Sequence, residues 1–438
     1  MLSTKIKGVY SRELLDSRGN PTVEATVVLE NGLRASAISP SGASTGKFEA
    51  VELRDNERER YRGKGVRHAC ENINVTINKV LTGMDIFDQT AIDNKLIDAD
   101  GSEDKHVLGA NATLAVSLAA AKLAAAAGKQ PLYRYIGGTL ATSVGHHKHG
   151  DAEVHTLGTV MPVPMMNILN GGAHAANNLD IQEFMIMPIG AETFSQAVRW
   201  CSEVYHTLAE LLKKENLSVG VGDEGGFAPN LEDDEQAFSY IIKAIEKAGY
   251  QMHKHFMLAV DGACSEWVAE EKKDTYTMPK KKRNFTSDEL VEYWCKLCDT
   301  YPIASLEDPM GEEDYDGWQK LTASIGANHL IVGDDLFVTN PKRLQMGFDK
   351  GLANTILIKP NQIGTLTETL ETIKLARNYC YKTILSHRSG ESEDTSISDI
   401  AVAVGAGYIK SGAPARSERV AKYNQLLRIE EEILNGRK

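Results

Sequence analysis

The stretch Ile356–Gly364, Ile-Leu-Ile-Lys-Pro-Asn-Gln-Ile-Gly, brings three apolar residues to a lysine and then breaks into turn residues. Pro360 disfavours αR for the residue before it, so Lys359 is expected in extended backbone, closing a buried strand and pointing its amine out of the C-terminal end. A single lysine there is usually a solvated strand ending. Five other apolar runs end in the same way. Met257–Val260 leads into Asp261, Ile303–Leu306 into Glu307 and Asp308, and His329–Gly333 into Asp334 and Asp335. Thr383–Leu385 leads into Ser386, His387, Arg388 and Ser389, and Gly407–Ile409 into Lys410. From Glu307 onward the endings recur about every 23 to 28 residues, one strand–helix unit of a (β/α) barrel. Barrels of that kind carry their chemistry at the C-terminal ends of the strands.

Three carboxylates from three strand ends, Asp261, Glu307 and Asp334, are hard oxygen ligands suited to Mg²⁺, which takes a few carboxylates plus waters and substrate oxygens. The trio contains no cysteine or histidine, which disfavours zinc. A divalent cation beside a lysine can hold a substrate carboxylate and stabilise a second negative charge developing on it. Lys359, crowded by cations, is expected to have a lowered pKa and to serve as base on a carbon acid. Arg388 with Ser389 would grip a phosphate.

Further candidates lie upstream. Asn170-Gly-Gly-Ala-His174 reads as an irregular turn in which His174 is either structural or functional. Gln182-Glu183 follows, and Glu183 sits in the apolar company of Ile181, Phe184, Met185 and Ile186. A carboxylate there needs a partner, or has a raised pKa and a function. Glu224, hemmed by glycines in Gly222–Asn230, is either part of a tight acidic turn or a general acid or base held in a cleft, able to protonate a leaving hydroxyl. Ser41–Glu49, Ser-Gly-Ala-Ser-Thr-Gly-Lys-Phe-Glu, fails the Walker pattern, because only three residues separate Gly42 from Gly46 and Phe48 follows Lys47. It reads either as a surface loop or as a small-residue lid able to close over an anion or a metal.

These residues need a scaffold of two parts. Lys5–Ser17 and Thr22–Val28 alternate as an antiparallel pair around the turn 17–21, and helical segments follow at about His68–Ile97 and Ala110–Ala127. That gives a smaller α+β domain over residues 1–138 and a large α/β barrel domain over 139–438. Gly137–Thr159, with histidines at 146, 147, 149 and 155, reads as a linker or a surface insertion, with metal binding as the alternative. Helices are expected at Thr193–Glu215, Leu290–Asp299 and Ser417–Leu434.

Composition narrows the function classes. With 42% hydrophobic and 25% charged residues the 438-residue chain is ordinary for a globular protein. A net charge of −12 argues against a general binder of nucleic acid or anionic membranes. Leu114–Ala127, the most apolar stretch, is interrupted by Lys122 and short for a membrane span, so a packed helix ending at Gly128 is expected. Met1–Tyr10 lacks a secretory h-region, which makes cytoplasmic the expected location. Six cysteines do not suggest a disulfide framework, and Cys295-x-x-Cys298 lacks the second pair a zinc site would want. Pro279–Arg283, Pro-Lys-Lys-Lys-Arg, has the composition of a nuclear localisation run or of an ordinary basic loop.

A lysine base next to Mg²⁺ is the pairing of the enolase superfamily, and the chain resembles the enolase family over nearly its whole length. The matching segments are Leu14–Glu24, Ser41–Gly46, Asn170–Glu183, Gly222–Asn230, Ser305–Pro309, Gly333–Lys342, Ile358–Thr365, Ser386–Asp394 and Ile409–Leu427. The resemblance implies an atypical (β/α)8 barrel with one reversed strand, a homodimer or larger homo-oligomer, and Mg²⁺-dependent reversible dehydration of 2-phospho-D-glycerate to phosphoenolpyruvate. By it, Asp261, Glu307 and Asp334 hold one Mg²⁺, and Ser44 in the lid helps hold a second. Lys359 takes the C2 proton, and Glu224 with Glu183 assists loss of the C3 hydroxyl. Gln182, Glu307, His387 and Lys410 lie against the substrate, Arg388 and Ser389 hold its phosphate, and His174 closes from the loop side. Ala173 stands where many members carry serine, Gly262 and Cys264 follow Asp261 where small apolar residues are usual, and Ser396 replaces an aromatic. The competing readings are a superfamily member acting on an unphosphorylated acid, and a non-catalytic scaffold or cell-surface protein whose Lys438 would suit a plasminogen-type, lysine-binding partner.

Overall fold

The computed structural model describes residues 3–42, 46–143, 160–269 and 272–436. Ser44, the histidines between 146 and 155, and Lys438 lie outside the described residues.

The chain opens with β1 (Ile6–Leu15), β2 (Pro21–Leu29) and β3 (Arg34–Ile38), an antiparallel sheet in that order. Between β1 and β2 the Asp16 side chain accepts the amides of Arg18 and Asn20, which closes the turn. The third strand was not expected; its pattern Arg-Ala-Ser-Ala-Ile carries little apolar signal of its own. Val23, Ala25 and Val27 of β2 are fully buried, and the helix Ala110–Ala127 packs across β2 and β3. That helix is longer than the expected apolar stretch, long and apolar enough by length and composition to cross a bilayer. Its setting decides otherwise, since 83% of it is buried inside the protein. The single helical region expected over His68–Ile97 is broken into Arg67–Asn72, a π turn at Ile73–Ile77, Asn78–Leu81 and Gln89–Asp100. Gly83, at φ +88°, turns the chain between the last two. The linker expected from Gly137 starts later, because the helix Leu132–Ser143 runs through Gly137 and Gly138. A Cβ on Gly137 would come within 3.2 Å of the Ala403 carbonyl, so glycine lets this helix lie directly on Ser396–Ala403 of the barrel.

The barrel begins with β4 (Val163–Asn170), β5 (Glu183–Met187) and β6 (Met257–Asp261). A side sheet of β7 (Val268–Ala269), β8 (Lys272–Thr277) and β9 (Asn284–Thr286) interrupts it. It resumes with β10 (Ile303–Glu307), β11 (Leu330–Gly333), β12 (Thr355–Ile358), β13 (Lys382–Ser386) and β14 (Tyr408–Lys410). The eight barrel strands close in the order β10-β11-β12-β13-β14-β4-β5-β6. Seven run parallel, and β5 runs against both of its neighbours. Met165, Met185, Ala259, Val332, Leu357 and Ile384, all from strands, form an apolar cluster of their own, while alternate residues such as Ile356 and Ile358 join the core shared with the helices.

The helices between strands are started by side chains that the sequence supplies in the right place. Thr193, Asp233, Asp314 and Thr365 each accept an amide from the first turn that follows, and Thr286 with Glu289 makes a full capping box. The helix expected at Thr193–Glu215 spans Phe194–Lys214, that at Leu290–Asp299 spans Ser287–Thr300 and carries both Cys295 and Cys298 as thiols, and the closing one spans Ser417–Asn435. The small domain is fastened to the barrel through polar contacts as well as packing. The Ser117 hydroxyl accepts the Leu366 amide, Asp93 accepts that of Thr367, and Lys122 Nζ lies 2.6 Å from Asp394.

Candidate active site

The seven parallel strands deliver their last residues to one end of the barrel. Asp261, Glu307, Ser386 and Lys410 are the final residues of β6, β10, β13 and β14. Asp334 and Lys359 are the first residues beyond β11 and β12. Lys359 is extended, at φ −124° and ψ 104°, as Pro360 requires. Glu183 reaches the same end by a different route. It is the first residue of β5, and because that strand is reversed its start pairs with Asp261 on one side and Asn170 on the other. The buried carboxylate that looked misplaced in an apolar run therefore faces the strand ends. Asp261, Asp334, Lys359, Ser386, Lys410 and Glu183 line one pocket, together with His174, Gln182, Glu224, His387, Arg388 and Ser389; Glu307 is tied to Lys410.

The two lysines are held differently. Lys410 Nζ lies 2.6 Å from Glu307, 3.1 Å from Glu183 and 3.4 Å from Asp261. Burial opposes its charge, but these three carboxylates outweigh it and push the pKa well above the ordinary lysine value. Lys359 makes a close ion pair with one carboxylate, Asp334. The lowered pKa expected for Lys359 is not what this geometry gives. Burial and the charges of Arg388 and Lys410 press it down, yet the adjacent Asp334 outweighs them and the value is raised. The reason is strand order: β11 lies beside β12, so a carboxylate and not a cation is nearest.

Beside Lys410 stands a carboxyl pair, Glu183 and Glu224, with His174 next to both. His174 Nδ1 lies 3.4 Å from Glu183 and 3.7 Å from Glu224. Burial and the charge of Glu224 push Glu183 well above the usual carboxylate range. Burial acts on Glu224 too, but His387 and His174 outweigh it and hold that carboxyl well below the range. The two neighbouring carboxyls are thus pushed in opposite directions, Glu183 up and Glu224 down. Asn167 Nδ2 donates to Glu224 at 3.1 Å. Burial lowers the His387 pKa to about 4, so the ring is neutral. Its Nδ1 accepts from the Arg419 guanidinium at 2.6 Å, and a guanidinium can only donate, which leaves the ring hydrogen on Nε2, 3.2 Å from Glu224.

Arg388 is engaged from the small domain: its Nη1 donates to Glu49 at 2.8 Å. Glu49, at the end of the candidate lid, also accepts from Gln362 at 3.2 Å. Gln362 in turn donates to Asp334 at 2.9 Å, and Gln182 donates to Asp261 at 3.1 Å.

Whether a divalent cation fits can be judged from the donors. Among the described residues the pocket is lined by eight carboxyls against three cations, Lys359, Arg388 and Lys410. Burial and mutual repulsion raise Glu307 to about 8 and push Asp308 and Asp335 well up, which is the strain a hard cation relieves. Asp261, Glu307 and Asp334 sit on neighbouring parallel strands and suit Mg²⁺ in number and type. Their oxygens are nevertheless tied to the two lysines and do not converge on one point. Among the described residues, the groups whose ligand atoms do lie within 4.8 Å of one another are Asp308, Asp334, Asp335 and, separately, His174, Glu183, Glu224.

Glu49, Gln362 and Arg419 were missed from the sequence. Arg419 is fully buried and donates to the carbonyls of Arg388 and Ser389 at 2.6 Å and of Asp223 at 3.1 Å, so one side chain braces the loops carrying His387, Arg388 and Glu224. A signal for it existed. Arg419 and Lys422 occupy the buried stripe of the closing helix with Tyr423, Leu426 and Ile429, where a charge must have a partner.

Comparison with protein-family models agrees with this two-part architecture. Residues 6–136 match the family described as "Enolase, N-terminal domain", and residues 158–438 match "Enolase, C-terminal TIM barrel domain". The two matches fall in the expected order and between them take in the small sheet, the helix Ala110–Ala127 and all eight barrel strands, so the chain belongs to the enolase family.

Proposed function

We propose that the protein is a carbon–oxygen hydro-lyase that reversibly dehydrates 2-phospho-D-glycerate to phosphoenolpyruvate. The observation that carries this reading is the company kept in one pocket, where Lys359, the carboxyls of Glu183 and Glu224 and the buried Arg388 all line the same space. In the forward direction Lys359 Nζ, once parted from its proton, takes the C2 hydrogen, and the C2 electron pair forms the new double bond as the C3–oxygen bond breaks. The proton on the Glu183–Glu224 pair leaves with that oxygen as water. Lys410 keeps Glu183, Glu307 and Asp261 together without taking part in proton transfer. Arg388 and Ser389 take the phosphate, and Glu49, which occupies Arg388 in this structure, gives way to it. Mg²⁺ on Asp261, Glu307 and Asp334, with a second ion toward the lid, would supply the positive charge needed where the substrate carboxylate becomes more negative.

The test is formation of phosphoenolpyruvate from 2-phosphoglycerate, followed by absorbance, with Mg²⁺ and then with excess chelator, for the wild type and Lys359→Ala. The expected outcome is Mg²⁺-dependent turnover in the wild type that falls about 10³-fold or more in the variant, in the range for loss of a general base. A folded wild type without turnover overturns the reading.

A further inference from the structure

The basic run Pro279–Arg283 remains unexplained by the proposed chemistry, and its position is informative. It forms the turn between β8 and β9, closed by the Met278 amide on the Arg283 carbonyl at 2.9 Å, and it lies against the loop that carries His174. Lys280 Nζ donates to the Gly172 carbonyl at 2.9 Å and the Ala175 carbonyl at 3.2 Å, with Asn177 Oδ1 at 3.4 Å. One ammonium thus grips the chain on both sides of His174. The amides of Lys280 and Lys281 donate to the two oxygens of Asp180 at 2.6 and 2.9 Å, fastening the turn to the far end of the same loop. Lys281 Nζ reaches the Glu232 carbonyl, and Arg283 stacks on Phe285 and Tyr293 at 4.5 and 5.3 Å. Of the four basic side chains Lys280 is the part-buried one, and its ammonium is taken up by the His174 loop, whereas Lys281, Lys282 and Arg283 lie exposed.

The loop needs such a hold. Gly172 takes a positive φ of +49°, and the exposed Ala173 has no side-chain polar group with which to anchor it. A pocket of about 180 Å³, lined by Gly172, Ala173, Gln182, Trp267 and Lys280 among others, opens beside this contact and gives the loop somewhere to move. The acceptors of Lys280 Nζ are carbonyl oxygens, which charge-assisted bonds hold more firmly than a neutral donor would.

We propose that Lys280 is a positioning residue that sets the distance of His174 from Glu183 and Glu224. The proposal rests on the hydro-lyase reading for its kinetic consequence, but its structural half can be read independently. The experiment compares the full-length wild type with Lys280→Met and Lys280→Arg, measuring amide hydrogen exchange at residues 171–177 together with kcat and KM. In Lys280→Met exchange should rise and kcat should fall about tenfold, with KM changing less than about twofold, the pattern of a misplaced group rather than lost binding. Lys280→Arg should restore most of both. In a His174→Ala background Lys280→Met should cost nothing more. Wild-type exchange in Lys280→Met, or a full further loss of kcat on top of His174→Ala, overturns the proposal. If the wild type turns over no substrate, the hydro-lyase reading fails, and the exchange measurement still decides whether the clamp exists.

Discussion

Two buried regions of this molecule treat acids in opposite ways. At the seam between the small domain and the barrel, the Asp394 side chain keeps 7% of its surface exposed, yet the Lys122 ammonium 2.6 Å away outweighs burial and holds its pKa down at about 2. At the strand ends burial raises Glu307 to about 8 and pushes Glu183 up, because carboxyls there outnumber cations. Depth alone does not fix the direction; the local charge balance does. A seam is finished when its pairs are matched. The pocket is left with an excess of negative charge that only something from outside can balance.

The largest test of that contrast is Lys410→Met. It would leave Glu183, Glu307 and Asp261 facing one another without their shared ammonium, and stability at neutral pH should fall by about 3 to 5 kcal/mol, the cost of stranding buried charges. Lys359→Met removes the partner of Asp334 alone, whose other oxygen is still held by Gln362, so its loss in a denaturant titration should be clearly smaller. Equal losses would remove the distinction between the two lysines. Next in size is the effect of cation: Mg²⁺ at about 100 times its dissociation constant should stabilise the wild type by about 2.7 kcal/mol. The gain should vanish in Glu307→Gln, as seen in the shift of thermal midpoint. The smallest concerns the seam. Asp394 titrates in the folded protein near 2, below its ordinary 3.8, so its stabilisation is complete above about pH 4 and is lost as pH falls toward 2. Lys122→Met should cost about 2 kcal/mol at pH 7, and the difference from wild type should close over that window. A difference that persists at pH 2 would mean that Lys122 acts through packing.

The strand endings were legible because each is a short apolar run stopped by a polar residue, a pattern that needs no knowledge of what lies across the barrel. Asp261, Glu307, Asp334, Lys359 and Lys410 come together as that pattern requires. What was not legible depends on neighbours remote in sequence. Glu183 looked like a buried anomaly because its side is set by the reversal of β5. The raised pKa of Lys359 depends on which strand adjoins β12. Glu49 meets Arg388 across a separation of 339 residues, and nothing local to either residue announces it. Arg419 and Lys422 were the exception: two charges in register with an apolar helical stripe were visible, and went unread.

The reversal of β5 also fixes where this chain can tolerate change in length. In an ordinary strand–helix unit a residue added at the catalytic end is absorbed by the loop before the next helix. Residues 171–182 have no such slack, because both feet of the segment are strands hydrogen-bonded to each other, Asn170 opposite Glu183. Removing one residue would either have to be absorbed within that braced segment or slide β5 by one position. A slide would turn Glu183 to the outside of the barrel and Phe184 toward the pocket, since adjacent strand residues face opposite ways. Point substitutions can be accommodated around this hairpin, whereas its residue count is set by the strands at either end.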